Sequence, residues 1–306
     1  MQKPIFVSII ILFECVVSIV CSGYALWIFA RLTWASFNSK TIRLNWPLKI
    51  YAILQILLAI TTIVYLLFLV LFWRLQNSAY DLYWLYFTGG IQNCVLMILA
   101  LAVSALGIDR CLIVKFPTKH LTIIPLITFI VMTVIWIAIN IVLRMIPAYP
   151  KNTIDKKDCE NVGCLGSFYT NIVYYSLRFT ASGINFAVGI LLTLLLKQMP
   201  IVSNCTVKSS RLVLYAIVTT LSFDLLPHFV SIVVYRVFQI NFADYVGPYS
   251  TIFGAIENAI CAFFYRRTFK VGALTSHDTL TVPHHSHPTH PTPITVVNSK
   301  QHASPA

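Results

Sequence analysis

The sequence predicts an all-α membrane protein: a bundle of seven transmembrane helices with its N-terminus outside and its C-terminus inside the cell. Three observations predict this fold. Of the 306 residues, 58% are apolar and only 10% are charged, whereas about a quarter of the residues of a soluble domain are charged. The apolar residues form long continuous runs, and Lys and Arg are shared unequally between the segments that join those runs.

Seven apolar runs are each long enough for a helix to cross a bilayer, which takes about 20 residues. The strands of a membrane β-barrel would instead alternate over about ten residues, so continuous runs favour helices. The runs are 5–30, 48–73, 84–109, 121–146, 172–196, 212–236 and 248–265. The first is too long for the apolar core of a cleaved signal peptide and is interpreted as a span. Residues 1–270 then form one transmembrane domain, and the His- and Pro-rich segment 271–306 is expected to be a disordered cytoplasmic tail.

The orientation follows from the basic residues near the membrane, which are enriched on the cytoplasmic side. The connecting segments and span ends of one side hold 14 of the 22 Lys and Arg residues, and those of the other hold seven, Arg144 near the end of the fourth run among them, while Arg178 lies deep inside a span. The richer set is expected inside the cell. The net charge of +12 is therefore a signal of topology, and no nucleic-acid partner is predicted. The only glycosylation sequon, which begins at Asn204, should lie inside and carry no glycan.

Four spans carry an ionisable residue, which is costly in lipid and is usually buried between helices. Arg178, Asp224 and Glu257 are predicted to converge on a cavity that opens outward and binds a small-molecule ligand. His228 should share in it, because it follows Asp224 by one helical turn. The fourth residue is Glu14. The alternative is an internal ion pair, Arg178 with Glu257 or with Asp224, that only fixes helix packing.

Proline and cysteine add two local predictions. Pro227 lies in the middle of the sixth run and is expected to kink that helix. Cys159 and Cys164 lie together on the oxidising side, so a local disulfide is predicted between them. His228 alone is deep in a span, which is too few ligands for a membrane metal hydrolase. No cofactor, metal or catalytic residue is predicted, and the chain is not expected to be an enzyme.

The third run ends in a recognisable motif, G-I-D-R-C-L-I-V-K-F-P at 107–117. It resembles the pattern D-R-Y-L-A-I-V-x-P of rhodopsin-like G-protein-coupled receptors, with Cys111 at the tyrosine position. The resemblance implies that Asp109 restrains Arg110 and that the freed Arg110 contacts the G protein, with Pro117 in the same switch segment. The alternative is a simple ion pair at a helix end.

Other receptor landmarks are altered in a way that is similar to nematode chemoreceptors, specifically serpentine receptor class BC. The sixth run has F-D-L-L-P at 223–227 in place of C-W-x-P, and the seventh has N-A-I-C-A at 258–262 in place of N-P-x-x-Y. The segments that carry the resemblance are C-E-N-V-G-C at 159–164, R-L-V-L-Y-A-I-V-T-T-L-S-F-D-L-L-P at 211–227 and V-G-P-Y-S-T-I-F-G-A-I-E at 246–257. It covers about residues 1–270.

This resemblance implies a sensory-neuron receptor in the plasma membrane of the cilium. Such a receptor binds an environmental small molecule and activates a heterotrimeric G protein. A membrane transporter and a non-signalling seven-span protein are the alternatives, although the runs lack the internal symmetry of many transporters. A ligand-gated olfactory channel would have its N-terminus inside, against the distribution of basic residues.

Overall fold

The computed structural model describes residues 5–38, 44–73, 80–116, 123–150, 162–165, 168–198, 204–238 and 249–278. These residues are almost entirely helical, and they contain no β-strand. The long helices, numbered in chain order, are α1 (Ile5–Asn38), α2 (Trp46–Leu71), α3 (Leu82–Lys115), α4 (Ile123–Asn140, continuing through a π-helical turn at Ile141–Met145 to Ile146–Ala148), α5 (Phe168–Gln198), α6 (Asn204–Thr220, continuing through a π-helical turn at Leu221–Leu225 to Leu226–Phe238) and α7 (Tyr249–Asp278). A short 3-10 turn, Val162–Leu165, precedes α5.

Each predicted span corresponds to one of these helices, and several helices continue past the predicted ends. α1 runs on to Asn38 and α3 to Lys115, because polar residues at the end of a span can extend a helix beyond the lipid. α7 continues to Asp278, into the segment predicted as the tail. Residues 279–306 lie outside the described residues.

Six helices, α1 to α6, are long and apolar enough to cross a membrane. They confirm the predicted helical class and indicate a multi-pass membrane protein. α7 is as long as the others but less apolar, because Glu257 and Asn258 interrupt its apolar stretch and Arg266 and Arg267 follow it. A seventh span at α7 and the orientation of the bundle stay predictions.

The helices surround α3, which packs against α2, α4, α5 and α6. In the most apolar stretch of α3, 72% of the residues are buried, whereas 11% are buried in that of α4. α1 packs against α2 and α7, and α7 packs against α6, which closes the ring. The exposed Ile127, Ile130 and Val134 of α4 point away from the bundle, as expected of side chains that face lipid.

Two apolar clusters lie near opposite ends of the bundle. The end at which α1 begins is here called the N-terminal end, and its cluster includes Leu66, Leu85 and Leu165. The opposite, C-terminal end has a larger cluster that includes Phe29 and Tyr265. The polar sites described below belong to the space between these clusters and to the C-terminal end.

Gly107 allows α3 to approach two neighbouring helices closely. A Cβ atom at this position would lie 2.5 Å from Cγ1 of Val188 on α5 and 3.2 Å from Cδ1 of Ile217 on α6. The first distance is too short for any side chain, so glycine is needed for this contact.

Candidate functional site: a buried polar cluster

An ion pair between α5 and α6 forms the centre of the candidate site. Nη2 of Arg178 donates a hydrogen bond to Oδ1 of Asp224, and the two side chains are only 5% and 2% exposed. Nη1 of Arg178 also donates to the hydroxyl of Tyr174, one turn earlier on α5. Burial of both charges strengthens their attraction and makes each depend on the other. This is one of the two pairings considered from the sequence.

His228 lies one turn after Asp224 and completes this contact group. Its Nδ1 is 2.7 Å from the backbone oxygen of Asp224. Because a carbonyl oxygen only accepts, Nδ1 carries the proton and donates. Three aromatic rings surround the imidazole at centroid distances of 5.6–5.9 Å: Tyr174, Tyr175 and Tyr249. Nε2 is buried and has no hydrogen-bond partner among the described residues.

Glu257 of α7 lies at the edge of the cluster. Its Oε1 accepts a hydrogen bond of 2.6 Å from Oγ1 of Thr220 on α6, and it lies within electrostatic range of Arg178. The structure therefore brings together all four predicted ligand-pocket residues, three in direct contact and Glu257 beside them. Glu14 on α1 has no described contact with them, and its Oε2 is buried without a partner in the described part of the chain.

Arg144 is a member of the cluster that the sequence analysis placed wrongly. The sequence counts it with the basic residues of the outer side because it lies two residues from the end of its run, but α4 continues past it to Ala148 and its side chain is buried inside the bundle. Its Cζ lies 4.2 Å from the centroid of the Tyr174 ring, and the Cζ of Arg178 lies 5.3 Å from the same centroid. Two guanidinium groups thus share one aromatic ring.

Tyr175, Ser231 and Tyr249 were also missed. Their side chains hydrogen-bond to one another and connect α5, α6 and α7 beside His228. Uncharged residues of this kind occur throughout the chain, and nothing in their spacing distinguishes these three.

Two π-helical turns place the charged residues of the cluster. Arg144 is the fourth residue of the turn in α4, and Asp224 is the fourth residue of the turn in α6. Both turns pack against α5, which carries Tyr174 and Arg178. π-Helical turns occur frequently at functional sites because they redirect side chains.

Each π-helical turn has an identifiable cause in the sequence. Pro147 follows Arg144 by three residues, and Pro227 follows Asp224 by three residues. Proline has no N–H to donate, and its ring clashes with the carbonyl group four residues earlier, so the preceding turn widens. A charged residue followed three positions later by proline is the sequence signal that could have identified Arg144. Pro227 is thus the second residue after a π-helical turn, and the predicted kink stays a prediction.

A second buried polar group lies at the C-terminal end of the bundle. Nη2 of Arg110 donates to Oδ2 of Asp109 at 2.7 Å, and Nη1 donates to Oγ of Ser209 on α6 at 3.1 Å. The side chains of Arg110 and Asp109 are 6% and 1% exposed. Arg110 therefore joins α3 to α6. Ser209 was not predicted, and Pro117 lies outside the described residues.

The remaining site predictions concern cysteines and metal ligands. Cys164, in the 3-10 turn, is disulfide-bonded. Cys159 lies outside the described residues, so the pairing of Cys159 with Cys164 stays a prediction. Within the described ranges, no group of three His, Cys, Asp or Glu side chains is placed to hold a metal ion.

No protein-family model matches the chain, and no curated protein matches it significantly. The likeness to serpentine receptors therefore depends on the motifs quoted above, and what it implies is a proposal.

Proposed function

We propose that this chain is a chemosensory G-protein-coupled receptor that binds an environmental small molecule from outside and activates a heterotrimeric G protein inside the cell. The observation that supports this most directly is the position of Arg110. It is buried at the end of the central helix, held by Asp109 of its own helix and by Ser209 of α6. A simple ion pair at a helix end would not need a contact with a third group on another helix.

α6 connects this group to the polar cluster. Ser209 and Asp224 belong to the same helix and are fifteen residues apart, which corresponds to about 22 Å along the axis. A ligand changes a conformational equilibrium only through different affinities for the two states. A ligand that alters the contact of Asp224 with Arg178 acts on the helix that also contacts Arg110.

The proposal includes α7 as a seventh span, with the N-terminus outside and the C-terminus inside. Glu257 and Asn258, which make α7 less apolar, are both buried within the bundle, where polar groups in membrane helices are usually found. The plasma membrane of a sensory neuron, and its cilium in particular, is the location that the family resemblance implies.

The test is the substitution Arg110→Ala in cells that express the chain together with a G protein. A ligand screen with a cAMP or calcium readout should give a response that Arg110→Ala abolishes at equal surface expression. Arg31→Ala is the matched control, because Arg31 is exposed and its described side-chain contact is with the ring of Trp27, at 5.9 Å. A full response from Arg110→Ala would contradict the proposal, and ligand accumulation inside the cells without any signal would favour a transporter.

A further inference from the structure

Arg144 is a buried cation without an anionic partner in the described structure. Its side chain is 6% exposed, and its Nη1 has no hydrogen-bond partner among the described residues. The contact that it does make, with the face of the Tyr174 ring, is weaker than an ion pair and does not neutralise the charge of the guanidinium.

Neither carboxylate of the polar cluster pairs with Arg144. Asp224 is hydrogen-bonded to Arg178, and Glu257 lies in electrostatic range of Arg178 and is hydrogen-bonded to Thr220. Arg144 contacts the Tyr174 ring and lies near Tyr175, Cys94 and the like-charged Arg178. The two cations share the Tyr174 ring, but only one of them is neutralised.

A buried charge without a partner is strongly unfavourable, and structures normally retain one only where another group compensates it. We propose that Arg144 is the anion-binding residue of this cluster and that its ligand is a small organic carboxylate. This inference depends on the proposed function, because it names the chemical class of the receptor's ligand.

The surroundings indicate the rest of the ligand. A carboxylate suits the planar guanidinium, which can donate two parallel hydrogen bonds to it. Tyr174 belongs to an apolar cluster with Met97, Leu101 and Trp136, so the side of the site that faces α3 and α4 is hydrocarbon and aromatic. A carboxylate with a short aliphatic or aromatic body matches both parts, whereas an inorganic anion would use only the guanidinium.

The experiment measures the thermal stability of the purified full-length protein in lipid nanodiscs. The probes are butanoate, hexanoate, octanoate, benzoate and phenylacetate, each compared with its neutral amide and with chloride alone. At least one carboxylate should raise the Tm, and its amide should not. Arg144→Gln should weaken the binding of that carboxylate about tenfold or more, and Arg267→Gln, which changes an exposed arginine at the other end of the bundle, should not.

A second readout separates ligand binding from a structural role of Arg144. Without ligand, Arg144→Gln should leave the Tm unchanged or raise it, because it removes an uncompensated charge. A large loss of Tm on substitution would show that Arg144 only holds the fold and would overturn the proposal. If Arg144→Gln does not fold, Arg144→Lys is tested in its place. Lysine keeps the positive charge but lacks the planar guanidinium group, so this variant should bind the carboxylate more weakly.

The remaining outcomes distinguish this inference from the proposed function. The proposal of a carboxylate ligand would be overturned by any of three results. These are that no carboxylate raises the Tm, that the neutral amide raises it equally, or that chloride alone raises it. The measurement needs no G protein. Carboxylate binding that depends on Arg144, without any cellular signal, would therefore support the site while contradicting the receptor. A signal from neutral ligands that survives Arg144→Gln would contradict the site alone.

Discussion

Arg178 is surrounded by groups that differ in what they contribute. Asp224 neutralises its charge, and Tyr174 accepts one of its hydrogen bonds. Because both side chains are buried, loss of the carboxylate leaves an uncompensated cation. Loss of the arginine leaves an uncompensated anion, so the pair should behave as one unit.

We therefore expect Arg178→Met and Asp224→Leu each to lower the free energy of unfolding by about 3–5 kcal/mol. The double variant should recover most of that loss, because it leaves no unpaired charge. Reversible unfolding in mixed micelles is measured for the wild type, the two single variants and the double variant. The four free energies of unfolding give the coupling energy between Arg178 and Asp224. Lys208→Met, an exposed position on α6, is the control and should change stability little. Additive losses in the double variant would show that the two side chains do not depend on each other.

At this scale the sequence predicted the charged residues of α5, α6 and α7 but not their neighbours. Arg178, Asp224 and His228 stand out because ionisable groups are rare in apolar runs. Arg144 was not predicted as part of the cluster because it lies within a turn of the end of its run, where an arginine normally extends into water. Ser209 and Tyr249 were not predicted because the sequence gives only the depth of a residue along a span. Which side of the helix faces the cluster depends on how the helices pack.

The π-helical turns of α4 and α6 are the elements that give the site its shape. A π-helical turn is closed by hydrogen bonds between residues i and i+5, so its side chains point in other directions than they would in a continuous α-helix. Arg144 and Asp224 both occupy such positions. The orientation of both groups toward α5 should therefore depend on the prolines that follow.

Pro227→Ala tests this dependence. Alanine restores the missing N–H and removes the steric clash, so the turn can return to the α-helical form and Asp224 should rotate away from Arg178. The coupling energy between Arg178 and Asp224 should fall by at least half in this background. Pro125→Ala is the matched control, because Pro125 lies in the first turn of α4, where a missing N–H costs little. Unchanged coupling in Pro227→Ala would show that packing, rather than proline, maintains the turn.

For the whole molecule, the sequence predicted the long apolar helices α1 to α6 and their order because apolar runs of this length have few alternatives. It did not predict where they end, since polar residues such as those at 31–38 continue α1 by helix propensity and packing alone. It also counted Arg144, two residues inside the end of its run, with the basic residues of the outer side. Removing Arg144 from the outer set increases the contrast on which the predicted orientation depends.

The orientation has a direct test. We expect the sequon at Asn204 to remain without a glycan in cells and the substitution Ile154→Thr, which creates a sequon at Asn152, to add one. The reason is that 151–171 should face the lumen during synthesis, whereas 197–211 should face the cytosol. A shift in electrophoretic mobility that glycosidase removes reports each site. A glycan at Asn204 would invert the topology and place Arg110 outside the cell.

We expect the close contact at Gly107 to act as the pivot of α6. Ile217, which packs against Gly107, is eight residues from Ser209 and seven from Asp224, so the two arms are about 12 Å and 11 Å long. With α3 as the fulcrum, a sideways displacement of Asp224 produces a displacement of nearly equal size and opposite direction at Ser209. Under the proposed function, and with α6 moving as one body, an ångström of movement at Asp224 would become about an ångström of separation at Arg110.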